Sequence, residues 1–194
     1  ALRTHLLRHP DVCERIGSHP HVADNVGASP GRTEDSWWVV DRWVEGATLA
    51  DQRGEPFPRD RLPRRMYEIA RGLEALHAAD VVFRELAPSR VIIAAADGRV
   101  VLTDFELAKL LDTGPTVSDT WPDDPYRAPE VEDGGASQQS DLYSWARVLL
   151  HAASGKERRT PGIIVGDIPS STDSATRAAH SPCSSGTLVK PNIA

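Results

Sequence analysis

The chain has 194 residues, is 40% hydrophobic and carries a net charge of −6. That length suits one domain with a tail, and the apolar content allows a packed core. The acidic balance argues against a nucleic-acid or anionic-membrane surface as the main business, and no run approaches the roughly 18 apolar residues of a membrane span.

Residues 1 to about 50 read as a helix followed by strands. Leu2, Leu6, Leu7, Val12 and Ile16 form a rough helical stripe, which Pro10 should end or kink near His9. His19-Pro20-His21-Val22 predicts a turn entering a strand, and Trp37-Trp38-Val39-Val40 is a β-rich run. Residues 54–63, rich in Pro and charge, read as a connector.

From 62 to 79, Met66, Ile69, Ala70, Leu73, Leu76 and His77 recur at three- and four-residue steps and predict an amphipathic helix. Val81-Val82-Phe83 follows as a strand. Val91-Ile92-Ile93 and Val100-Val101-Leu102 flank Asp97-Gly98, a favoured hairpin turn pair. A second helix is expected from an N-cap at Ser140, burying Leu142, Trp145, Val148, Leu149 and Ala152 and stopping at Gly155. Residues 161–194, rich in Ser, Thr, Ala, Gly and Pro, read as an irregular tail whose one apolar run is Ile163-Ile164-Val165. Cys13 and Cys183 lie far apart without paired spacing and read as free thiols of a reducing compartment, here the cytoplasm.

Three short signatures stand in order between residues 81 and 130: Phe83-Arg84-Glu85 with Arg90 five residues on, Asp104-Phe105-Glu106, and Ala128-Pro129-Glu130. This order resembles the second half of a protein kinase domain, where H-R-D-L-x-x-x-N precedes D-F-G and A-P-E. The resemblance covers residues 17 to 157 and implies an α+β fold: a mainly helical C-lobe with a remnant of the N-lobe sheet. It divides the chain into a partial N-lobe (1–50), a kinase-like C-lobe (51–160) and the tail (161–194).

The resemblance also implies roles. Asp104 stands where a carboxylate binds magnesium, Glu85 at the base position, and Arg84 at the Arg that pairs with a phosphorylated activation loop. Glu85 adds a methylene to the family Asp, displacing the oxygens by about 1 Å, a misplacement that can cost about 10²-fold in rate. Arg90 replaces the metal-binding Asn; a guanidinium has no lone pair for a metal, and the expectation is a salt bridge from Arg90 to Glu85 or Asp104. Glu106 replaces a Gly whose conformational freedom Glu lacks. Asp41 falls at the gatekeeper position, and backbone groups near Arg42 and Val44 would bind adenine. Asp141 resembles the buried Asp that holds the catalytic loop, and Glu130 would pair with an Arg in late helices. Thr113, Thr116, Ser118 and Thr120 lie in what would be the activation loop.

Other parts are missing. No G-x-G-x-x-G is present, and Lys109, Lys156 and Lys190 are the only lysines, so none precedes Glu85. Together with a start at Ala1, this suggests a chain that begins inside the N-lobe. The first reading is a regulatory or binding module of the kinase family with a degraded site, ATP and magnesium binding being weakened or lost, acting on a protein partner. The alternative is an ATP-dependent serine/threonine kinase whose Gly-rich loop and Lys lie upstream, and a third is a gene remnant without a stable fold.

Overall fold

The computed structural model describes residues 11–28, 38–52, 54–104, 108–111, 124–131 and 135–157. Leu2, Leu6, Leu7, Pro10, Trp37, Phe105, Glu106, the four hydroxyl residues 113–120 and the tail lie outside them. The chain divides into two units, Ala1–Gly162 and Ile163–Ala194, of which the second contains no described residue.

Residues 11–16 are helical and end at Gly17, whose N–H donates to the Cys13 carbonyl at 3.1 Å. Val12 of this segment is buried, with Cys13 and Ile16 packed beside it. The turn at residues 19–22 does not enter a strand directly. Val22 instead makes an isolated parallel bridge to Leu102, and the strand β1 starts at Asn25 (Asn25–Ala28). It pairs antiparallel with β2 (Val39–Asp41).

The long helix α1 spans Leu62–Ala78, with Pro63 in its first turn, where a missing N–H costs nothing. Its apolar stripe of Met66, Ile69, Leu73 and Leu76 is buried, as the spacing requires. Gly72 sits on the same face, and an added Cβ would lie 2.8 Å from Leu102 Cδ1 and 2.9 Å from the His21 carbonyl oxygen. The helix therefore approaches the strands more closely than any other residue would allow.

Strand β3 (Gly46–Thr48) pairs with β5 (Val91–Ala94), and β5 with β6 (Val100–Leu102), forming a three-stranded antiparallel sheet. The hairpin between β5 and β6 forms, but its loop covers residues 95–99 rather than a two-residue turn; Asp97 Oδ1 accepts from the Arg99 N–H at 3.0 Å inside it. The short strand β4 (Val81–Val82) pairs with β7 (Lys109–Leu110).

The helix α2 spans Gln138–Ser154. Its N-cap is Ser137, not the expected Ser140. Ser137 and Ser140 form a reciprocal capping box, with Ser140 at the third helical position. The helix stops as predicted at Gly155, which is left-handed (φ 68°), and an added Cβ there would strike the Gly54 carbonyl oxygen. The expected apolar face is corrected at Leu142, which is 55% exposed, because the buried face is mostly polar: Ser140, Asp141, Ser144 and Arg147 accompany Val148 and Ala152. The two helices are tied by Trp145, whose Nε1 donates to the Met66 carbonyl at 3.0 Å.

The core lies where α1, α2, β4 and the β5–β6 hairpin meet. Ile69, Leu76, Val81, Phe83, Val91, Val100, Leu102 and Val148 are fully buried there. Each contributes about 1.5–3 kcal/mol by leaving water. No described helix is long and apolar enough to cross a membrane.

Candidate catalytic cleft

The loop after β4 carries the first signature, and Asp141 holds it. This carboxylate is wholly buried in the first turn of α2. Its Oδ2 accepts from the Phe83 N–H and its Oδ1 from the Arg84 N–H, both at 2.8 Å. His77, at the end of α1, places Nε2 at 2.8 Å from the same Oδ2. The role expected of Asp141 is thus visible as geometry. His77, which the sequence places only on the stripe of α1, is a third partner. One signal existed: His77 is the only ionisable residue in the last turn of α1.

This anchoring matters because the loop is strained. Arg84 adopts φ 73°, a region that costs a non-glycine residue about 1–3 kcal/mol. Its side chain is buried as well. Burial pushes the Arg84 guanidinium below its ordinary value, while Glu85 and Asp141 pull it back up and Arg127 pushes it further down.

Glu85 follows, with a side chain only 11% exposed. Arg90 places NH2 at 2.7 Å from Glu85 Oε2, and Arg127 places NH2 at 3.7 Å from Oε1. The Arg90 contact is an ion pair without hydrogen-bond alignment, since Oε2 has no aligned donor. Burial raises the Glu85 carboxyl above the ordinary carboxylate value, opposed by Arg90 and Arg127; Asp124 adds to the rise and Arg84 opposes it. Two neighbouring guanidiniums therefore do not fully offset the loss of water around this group.

Arg90 closes a short 3-10 turn at Pro88–Arg90 that leads into β5. Its NH1 donates to the main-chain carbonyl of Asp104 at 2.5 Å. The expected salt bridge is therefore to Glu85, and the Asp104 contact recorded is with its backbone. Asp104 is exposed and left-handed (φ 57°), a conformation an Asp tolerates. Its Oδ1 accepts from the Thr103 hydroxyl at 3.3 Å.

Arg127, to which the sequence assigns no contact with Glu85, completes the cluster. Its side chain is 5% exposed and lies 4.0 Å from Asp124 as well as near Glu85. Its segment is fixed to α2 at two points: Arg147 Nε donates to the Pro125 carbonyl at 2.9 Å, and Tyr126 OH lies 2.8 Å from His151 Nδ1. Ala128 and Val131 pack with Val82 and Ala136 in a second small core. The A-P-E glutamate, Glu130, is exposed, and among the described residues no basic side chain pairs with it.

The residues expected near adenine make a separate set of contacts. Asp41 Oδ1 accepts from Asn25 Nδ2 at 2.8 Å. The Arg42 N–H donates to the Asp24 carbonyl at 2.8 Å, and its side chain pairs with the Asp24 carboxylate at 3.5 Å. Val44 is half-buried against the main core. Arg42 and Val44 also line a polar cavity of about 300 Å³ with His19, Asp24 and Arg99.

The magnesium that the resemblance implies can be tested against these side chains. Asp104 offers an exposed carboxylate, the oxygen donor a hard cation takes. Position 90 does not fit: it presents a fixed cation and no lone pair. Among the described residues no group of three or more His, Cys, Asp or Glu side chains is placed to hold a metal ion.

Comparison with known proteins agrees with the geometry. The family model described as protein kinase domain matches residues 3–160. The chain is 30% identical to the probable serine/threonine-protein kinase PkwA of Thermomonospora curvata, over 79% of this chain and 21% of that protein. It is 30% identical to the probable serine/threonine-protein kinase PknB of Lactococcus lactis, over 84% of this chain and 24% of that protein. To the RAC family serine/threonine-protein kinase homolog of Dictyostelium discoideum it is 31% identical, over 78% of this chain and 34% of that protein. The chain thus spans between about a fifth and a third of the length of these relatives. The ordered signatures, the buried aspartate beneath the first of them and the match over residues 3–160 lead to one conclusion: this chain belongs to the protein kinase family.

Proposed function

We propose that the chain is a kinase-fold module with a degraded catalytic site, acting in the cytoplasm as a regulatory or binding element on a protein partner, with residual ATP binding. The observation that carries this reading is the state of Glu85. The carboxylate at the base position is largely buried and faces two guanidiniums, Arg90 and Arg127, instead of standing open to an acceptor hydroxyl. A general base must come within about 2.6–3.2 Å of the proton it takes. In this reading residues 1–50 supply the partial N-lobe, with adenine held at backbone groups near Arg42 and Val44 beneath Asp41, residues 51–160 the C-lobe, and 161–194 a tail.

A second reading, a working serine/threonine kinase, has one observation in its favour. Burial raises the Glu85 carboxyl toward the pH range in which a base operates best. Asp104 would then hold magnesium, and the Gly-rich loop and Lys would come from upstream.

The test is phosphate transfer from labelled ATP to a generic protein acceptor in the presence of magnesium, with Asp104→Ala as the control. The module reading expects no transfer above that control, together with thermal stabilisation by ATP. Transfer that disappears in Asp104→Ala would establish the kinase instead.

A further inference from the structure

We infer that Arg90 is a built-in cation that takes the place of the second metal ion, so that this cleft accepts no divalent cation at that position. The inference rests on the reading of the cleft proposed above and deepens it. In the family this position holds a metal through a neutral Asn oxygen, and the ion neutralises charge gathered between the catalytic loop and the D-F-G aspartate. Here one side chain spans the same two elements. Arg90 NH2 lies 2.7 Å from the Glu85 carboxylate of the catalytic loop, and NH1 donates at 2.5 Å to the backbone of Asp104.

Cationic charge at Glu85 is already supplied without a metal. Among the described residues, the carboxylates of Glu85, Asp124 and Asp141 face the guanidiniums of Arg84, Arg90 and Arg127. The Glu85 carboxylate meets Arg90 at 2.7 Å and Arg127 at 3.7 Å, one guanidinium on each oxygen. A divalent ion would have to displace Arg90 from Glu85 and then sit close to a charge that cannot be lost, since Arg keeps its proton at all accessible pH. An ammonium in this position could shed a proton or swing away on its flexible stem. A planar guanidinium bonded to two elements holds them at a fixed separation.

The experiment uses manganese alone as the probe, in the absence of nucleotide, followed by paramagnetic broadening of the Glu85, Arg90 and Asp104 resonances and by calorimetry. The whole chain is compared with Arg90→Asn and with Arg90→Lys. The expected result is no broadening centred on Glu85 and Arg90 in the unaltered chain up to millimolar manganese, and a gain of at least tenfold in manganese affinity in Arg90→Asn. Arg90→Lys, which keeps a cation but not a fixed one, should gain manganese affinity, though less than Arg90→Asn. Equal manganese binding by the unaltered chain and Arg90→Asn would overturn the inference. Should Arg90→Asn fail to fold, the unaltered chain decides alone: broadening centred on Glu85 and Arg90 overturns the inference, and its absence there supports it. Phosphate transfer by the unaltered chain without manganese at Arg90 would defeat the proposed function and leave this inference standing.

Discussion

Replacing Asp141 with Ala tests how the catalytic loop is held. The carboxylate is wholly buried and accepts from the N–H groups of Phe83 and Arg84, each at 2.8 Å. Removing it leaves both donors buried, next to a Phe83 that is 0% and an Arg84 that is 4% exposed. An unsatisfied buried donor costs about 1–3 kcal/mol, so the pair should cost about 4 kcal/mol. His77 also loses a partner, but its side chain retains some exposure and can turn to water, so it adds little. The strained conformation of Arg84 (φ 73°) loses its anchor too. The expected loss is a large fraction of the 5–15 kcal/mol that stabilises a typical domain, and corresponds to a fall in Tm of roughly 8–16 °C for a domain of this size. Urea unfolding followed by tryptophan fluorescence, for which the chain has five reporters, measures it directly. Asp141→Asn should lose less, because one oxygen still accepts. A loss below about 1 kcal/mol in Asp141→Ala would show that the loop is held by packing alone and that the three hydrogen bonds are incidental.

Further expectations follow from other contacts. Gly72→Ala should destabilise by about 1–3 kcal/mol in the same urea assay, because its Cβ would meet Leu102 Cδ1 at 2.8 Å and the His21 carbonyl oxygen at 2.9 Å; a neutral substitution would mean that α1 shifts freely. Glu68 is buried on α1 and accepts from Arg64, Arg65 and the Val100 N–H. Burial pushes its carboxyl up, but those hydrogen bonds outweigh it and hold the group below the ordinary value. Because the folded value is depressed, the stability Glu68 contributes is present above pH 4.5 and is lost as pH falls through the folded value. Glu68→Gln should therefore cost about 2–3 kcal/mol at pH 7 and progressively less below pH 4.5; a cost independent of pH would refute the assignment. Tyr126 is pushed up to about 12, first by burial and then by Glu157 and Asp124 against Arg147. Absorbance titration at alkaline pH should show one of the three tyrosines ionising only near 12, and the late step should vanish in Tyr126→Phe.

Much of this protein was legible in its sequence, for local reasons. The stripe of α1, the stop at Gly155 and the strand pair around Asp97-Gly98 all follow from periodicity and from the backbone freedom of particular residues. The family, too, is written in short motifs whose order and spacing survive. The buried face of α2 was misread at Leu142 because hydropathy ranks leucine above serine. Tertiary structure instead turns Asp141 and Arg147 inward, where the catalytic loop and the Pro125 carbonyl supply their partners, and with them Ser144, whose hydroxyl donates to the Ser140 carbonyl one turn back. The N-cap was misplaced for a similar reason: either serine could cap, and the reciprocal bonds between Ser137 and Ser140 decide. His77, Arg127 and the choice of Glu85 as the partner of Arg90 belong to tertiary structure alone. His77 is 64 residues from Asp141, and no spacing rule relates residues that meet only when distant segments pack. Local chemistry determined which residues stand in the kinase frame; packing determined which charges they face, and the function proposed for the site depends on those charges.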